Sequence, residues 1–227
     1  MKRSDILRHL TPGAVLTCLF LYAFRLIGMS AAEVGSIPTR ETPLVVDAEN
    51  HRLLVYGEVN QDGDKKVSTH FGVVFKGGQM SEKALITSYV SPSDFHDALL
   101  RIGARPGNNL SNESRGEYVE GEMLLVSVTW HGLGKEIPLV DFLTDSGGRG
   151  FDIRFGGNRH ASESQGSGCL TCLESCWVGI TSNAAYPVTS ALGRFLRPNS
   201  RFSIKEGVLP HAQGRPLILI YRTEMVE

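Results

Sequence analysis

The sequence contains none of the short strings that mark the common nucleotide-binding and catalytic scaffolds. There is no G-x-x-x-x-G-K-[ST] and no G-x-G-x-x-G, so the glycine pairs Gly147-Gly148 and Gly156-Gly157 read as turns. There is no G-x-S-x-G elbow and no H-E-x-x-H helix. No stretch is low in complexity and no segment repeats at a fixed period. Nothing in these absences assigns a reaction; they lean against an enzyme without deciding the question. An excess of charge is also missing, the formal net charge being −1. A near-neutral chain has no electrostatic reason to seek nucleic acid or anionic lipid.

Long apolar runs are absent too. The one uninterrupted run, Ala14 to Phe24, is about half of the ~20 apolar residues that a spanning helix needs. It follows the basic residues Lys2, Arg3 and Arg8 and precedes Ser30, Ala31 and Ala32. Basic, then apolar, then small is the order of a secretory signal peptide, with cleavage expected after Ala32. Arg25 argues against a retained anchor, and Leu16-Thr17 before Cys18 is not a lipoprotein pattern. Residues 1–32 are therefore expected to be a signal peptide and the mature chain to be periplasmic or extracellular. Its membrane contact is expected to be limited to export. Removing that segment takes away four basic residues and one acidic residue, which moves the net charge from −1 to −4.

What remains is rich in glycine and in short β-forming runs. Residues 33–42 are expected to be an extended leader and 43–227 a single domain. Leu44–Val46, Leu53–Val59, Val67–Phe75, Ala84–Val90, Glu122–His131, Phe151–Phe155 and Pro216–Tyr221 read as strands. Gln61-Asp62-Gly63-Asp64 is a hairpin signal. Pro138 keeps Ile137–Leu143 from being a central strand. One helix is clear at about 91–103. Ser91 can cap it, Pro92 suits its first turn, and Phe95, Ala98, Leu99 and Ile102 share one face before Gly103 ends it. A second short helix is expected at about 188–196. Hairpin-length connections predict an α+β fold, mostly antiparallel sheet.

Several of these segments resemble the YdjY-domain family. They are SPSDFHDALLRIGARPGN at the helix, LLVYGEV and SEKALIT upstream, VSVTWHG downstream, and GCLTCLESCWVGITSNAAY further on. The likeness runs from about Pro43 to Tyr186. It implies an exported, largely uncharacterised protein of a group sometimes labelled ferredoxin-like. The chain departs from the pattern at Ser81, where many relatives carry histidine, so the resemblance gives that position no metal or catalytic role.

Cysteine is scarce, with four in the chain and three in the expected mature part: Cys169, Cys172 and Cys176. An odd number leaves one thiol outside any internal disulfide. The spacing is C-x2-C-x3-C, and three thiolates this close repel unless protonated, oxidised or bound to a cation. The spacing matches the last three cysteines of the bacterial iron–sulfur run C-x2-C-x2-C-x3-C-P. Gly166 stands where the first would be and Trp177 where the proline would be. A zinc site would take these three cysteines and one histidine. Among His70, His96, His131 and His160, His160 is nearest in sequence and is the expected fourth ligand. His96 is expected to be solvated and His131 to be a turn residue, while Glu82 and Asp141 lack partners at telling spacing.

Two other chemistries compete. Cys169 and Cys172 form a C-x-x-C pair, which would serve a thiol–disulfide oxidoreductase. A structural disulfide would leave a binding module with no catalytic centre. Bridges within this segment close very short loops and stabilise at the low end of roughly 2–4 kcal/mol. That weakness and the odd thiol count favour metal or cluster binding.

Overall fold

The computed structural model describes residues 36–60, 67–68, 70–107, 109–188, 201–209 and 216–224. The expected signal segment, the hairpin at Gln61–Asp64 and all of the expected 188–196 helix except Val188 lie outside the described residues.

The strands follow the alternation of the sequence. In β2 (Arg52–Val59), Leu53, Val55, Gly57 and Val59 are buried, while Arg52, Leu54, Tyr56 and Glu58 lean outward. β1 (Leu44–Asp47) pairs with the first half of β2, and β5 (Ile86–Ser88) pairs with its end. The Val67–Phe75 run divides into β3 (Val67–Ser68) and β4 (Phe71–Phe75), which belong to different sheets. The remaining large-sheet strands are β6 (Leu124–Thr129), β7 (Ile137–Pro138), β9 (Ile153–Phe155), β10 (Cys169–Cys172), β11 (Thr181–Asn183) and β13 (Pro216–Thr223). Their order is β7-β6-β13-β2-β5-β4-β10-β11-β9, with β1 attached to β2. Pro138 sits on the edge strand β7, where its missing N–H costs least. β3 forms a small second sheet with β12 (Phe202–Ile204) and β8 (Leu143–Asp145).

The expected α+β class describes this architecture, but the sheet is mixed. β4 runs parallel to β5, and β10 runs parallel to β11. Short connections suggested hairpins, whereas residues 76–85 and 173–180 instead carry the chain back to restart in the same direction. A parallel pair needs such a return. The large sheet also curls back on itself. Its last strand, β9, approaches the start of β6 through a Met123–Arg154 bridge. The N–H of Phe155 donates to the carbonyl of Glu122 at 2.9 Å. Gly121 makes that approach feasible: its φ is +117°, and a Cβ there would stand 2.0 Å from the Phe155 carbonyl oxygen.

Helix α1 (Pro92–Arg101) packs against β1, β10 and α3 (Arg159–Gln165). Ser91 caps it by accepting the Asp94 N–H at 3.1 Å. Ser91→Ala is expected to lower unfolding free energy by about 1 kcal/mol, read from urea denaturation. Phe95, Leu99 and Ile102 are almost fully buried. Each contributes roughly 1.5–3 kcal/mol of apolar burial. A short helix, α2 (Leu139–Phe142), links β7 to β8. None of the helices among the described residues is long and apolar enough to cross a membrane.

The loop after β8 is tied down by one carboxylate. Asp145 accepts the Tyr186 hydroxyl and the backbone N–H groups of Gly147, Arg149 and Gly150. Burial, the largest single influence, favours the neutral acid. The donated hydrogen bonds together outweigh it and hold this carboxyl below its usual pKa. A lowered carboxylate pKa contributes stability that is present above about pH 4 and lost as pH falls through the folded value. Asp145→Asn is therefore expected to lower the melting temperature at pH 7. The gap to the unmodified protein should close in thermal scans taken at pH values below about 4.

Candidate metal centre

Cys169 and Cys172 lie at the two ends of β10. In a regular strand, residues three apart face opposite sides. Here Cys169 stands opposite Val74, Thr171 opposite Val73 and Cys172 opposite Phe71, with the register shifting on both sides of Thr171. The irregularity resets the alternation. Both cysteines pack with Phe71, Val74 and Ala84. Leu170 and Leu173 instead enter the main core. Thr171 is held by hydrogen bonds to the hydroxyls of Tyr221, at 2.8 Å, and Thr181, at 2.9 Å.

The parallel return between β10 and β11 brings the third cysteine to the same place. Ile180 N–H donates to the Cys169 carbonyl at 3.2 Å, so residues 173–180 fold back over the start of β10. Cys176 sits on that return. Its carbonyl accepts from the side-chain amide of Asn158 at 3.2 Å, and the same amide reaches the Gly179 carbonyl at 3.1 Å. Gly179 allows the close approach, since a Cβ there would stand 2.9 Å from Cys172 Sγ and 2.8 Å from Ser182 Oγ.

The histidine comes from the neighbouring strand. His70 immediately precedes β4, and its carbonyl accepts the Leu173 N–H at 2.7 Å. Its ring stacks on Phe71 with centroids 3.9 Å apart. Pairing of β4 with β10 thus sets His70 beside Cys172 and Cys176. One donor atom from each of these three residues lies within 4.8 Å of the other two. The cysteines are buried, all three thiols are free, and Met80 and Val178 pack against the same apolar cluster.

The sulfurs are electrostatically unequal. Cys172 is hydrogen-bonded to both Cys169 and Cys176, and these bonds, followed by burial, push its thiol well above the usual value. Cys176 shifts the opposite way. The hydrogen bond from Cys172 is the largest cause; burial opposes it, and His70 and the Val178 N–H reinforce it. Of the two, Cys176 is thus the more readily deprotonated. Thiolate is the form that binds metal.

The other histidines stand elsewhere. His160, the expected fourth ligand, is exposed on α3 and is not among the grouped donors; the histidine beside the sulfurs is His70. α3 is held on α1 through Arg159 and Asp97 at 2.6 Å. Nearness to the cysteines in sequence therefore did not become nearness in space. His96 is buried edge-on against Phe155, with centroids 5.1 Å apart, and is not solvated as its off-face position suggested. His131 is exposed in the turn after β6.

The curled mixed sheet thus brings His70, just before β4, beside Cys172 at the end of β10 and Cys176 on the return that follows it. The chain belongs to the YdjY domain family, whose sequence profile matches residues 44–222. It is similar to the Uncharacterized protein YdjY of Escherichia coli (strain K12), with 40% identity over 145 residues. That match covers 63% of this chain and 64% of the relative, so the chain spans just under two thirds of the relative's length. No solved structure matches the chain.

Proposed function

We propose that this protein is a metal-handling protein of the bacterial cell envelope that holds one thiophilic ion through His70, Cys172 and Cys176. The observation that carries this reading is the convergence of the three donors within 4.8 Å inside an apolar shell. Ligands that each stand about 2.0–2.3 Å from one shared ion lie roughly 3.5–4 Å from each other. Small side-chain adjustments would bring the three donors to that spacing. The spacing supports a single ion over an iron–sulfur cluster, whose thiolates are spread over separate iron atoms. Residues without carboxylate oxygens suit soft or borderline ions and not magnesium or calcium.

An odd number of cysteines in the expected mature chain leaves at least one thiol outside any internal disulfide. Cys169 and Cys172 are at most 1% exposed, which denies a thiol-exchange partner access to the C-x-x-C pair. Export of the mature chain, expected from residues 1–32, would place the site outside the cytoplasm.

The test is elemental analysis of the full-length chain purified under anaerobic, reducing conditions. One equivalent of a thiophilic metal per chain is expected. His70→Ala should lower retention of that metal against a competing chelator by more than about tenfold, since even groups that only support a ligand matter by 10–100-fold. A folded wild-type protein that takes up no metal would remove the proposal.

A further inference from the structure

The geometry points to monovalent copper, Cu(I), as the ion, held three-coordinate by His70, Cys172 and Cys176, with Cys169 left outside the coordination sphere. This inference rests on the metal-site reading above and adds the identity of the ion.

The number of donors comes first. Among the described residues, His70, Cys172 and Cys176 form a group of three, and neither a carboxylate nor a further histidine joins them. A closed zinc site takes four ligands, and an open one keeps a water in the fourth position. Cys169 is the nearest further sulfur. It hydrogen-bonds Cys172 yet is not part of the mutually close group. Its backbone is fixed on both sides, by Ile180 N–H on its carbonyl and by its own N–H on the Ser167 hydroxyl. With the backbone held, its sulfur could reach the ion only by a change of side-chain rotamer inside a packed cluster.

A water ligand fits no better. Phe71, Val74, Ala84, Met80 and Val178 make up the packing around the sulfurs. A metal-bound water needs hydrogen-bond partners to orient it; these side chains offer none, and the Ser182 hydroxyl near Cys172 already donates to the Cys176 carbonyl at 3.4 Å. This largely apolar packing favours three coordination without water, which Cu(I) accepts readily.

Softness points the same way. Two of the three donors are sulfur, and the Met80 side chain packs on the same cluster. Thiolate ligands suit Cu(I), zinc and iron–sulfur clusters, and of these the monovalent copper ion is the one satisfied by three donors. Cys169 then has a supporting role, hydrogen-bonding a ligand instead of acting as one.

The experiment uses the full chain, stripped of metal and kept anaerobic with reductant. It is loaded with one equivalent of Cu(I) or, separately, of Zn(II), and X-ray absorption is recorded at each metal edge. The Cu(I) form should show two sulfurs and one nitrogen on a single copper, and Cys169→Ser should leave that spectrum unchanged. Zn(II) should be held at least ~100-fold more weakly than Cu(I) in chelator competition. A copper spectrum with three sulfurs, or a tight zinc site that needs the Cys169 sulfur, would overturn the copper assignment and leave the metal site standing. Failure of both ions to bind would remove the metal site itself. The wild-type spectra decide the matter even if the Cys169→Ser protein does not fold.

Discussion

Replacing Cys176 by serine is expected to empty the metal site while leaving the fold in place. The prediction follows from the position of Cys176 at the centre of the donor group. It accepts a hydrogen bond from Cys172, interacts with His70 and is the sulfur most disposed to be anionic. Serine keeps nearly the same volume but offers an oxygen that is not a thiolate. Metal content per chain should fall from about one equivalent to below about 0.1, because a lost ligand costs more than the 10–100-fold typical of a group that only supports one. Near-native circular dichroism is expected alongside, since the Cys176 backbone is held by Asn158, Gly179 and Ser182 independently of its sulfur. His160→Ala is the companion change. His160 is exposed on α3, so metal content should not change.

The second large effect concerns the core that supports the site. Phe95→Ala should destabilise the domain by about 3–5 kcal/mol, a range typical of emptying a buried aromatic position. Phe95 is fully buried and meets Tyr221 edge-on, with centroids 5.0 Å apart. The Tyr221 hydroxyl in turn is hydrogen-bonded to Thr171 in the middle of β10. A cavity at Phe95 therefore loosens the ring that braces the irregular segment between Cys169 and Cys172. Urea denaturation measures the loss. Unchanged stability would show that α1 is not anchored as described.

Helix α1 was readable in the sequence because its cap, its proline and its apolar face are all local signals, and its core residues stayed as expected. The closeness of Cys172 and Cys176 was readable for a similar reason, since only three residues stand between them and cannot carry them far apart. The histidine was not readable in the same way. His70 and His160 are both plausible partners by residue type, and only the β4–β10 pairing decides between them. That pairing joins segments distant in the chain, and no local spacing encodes it. The shift in register around Thr171 was equally hidden, although it is what turns Cys169 and Cys172 to the same side. The parallel return of residues 173–180 is not encoded locally, because a short connection of this kind equally suits an antiparallel pair. It is the feature that carries Cys176 back to the other two sulfurs.

The most direct test of the central claim is thiol protection. The folded, reduced chain is alkylated with and without its bound ion, and mass spectrometry identifies the modified cysteines. Both thiols are buried, so over a long exposure labelling reports their transient opening: a single bound ion should slow it for Cys172 and Cys176 together, and stripping the ion should raise both rates in parallel. Equal labelling of both in the loaded and stripped protein would contradict the idea that these two sulfurs share one ion.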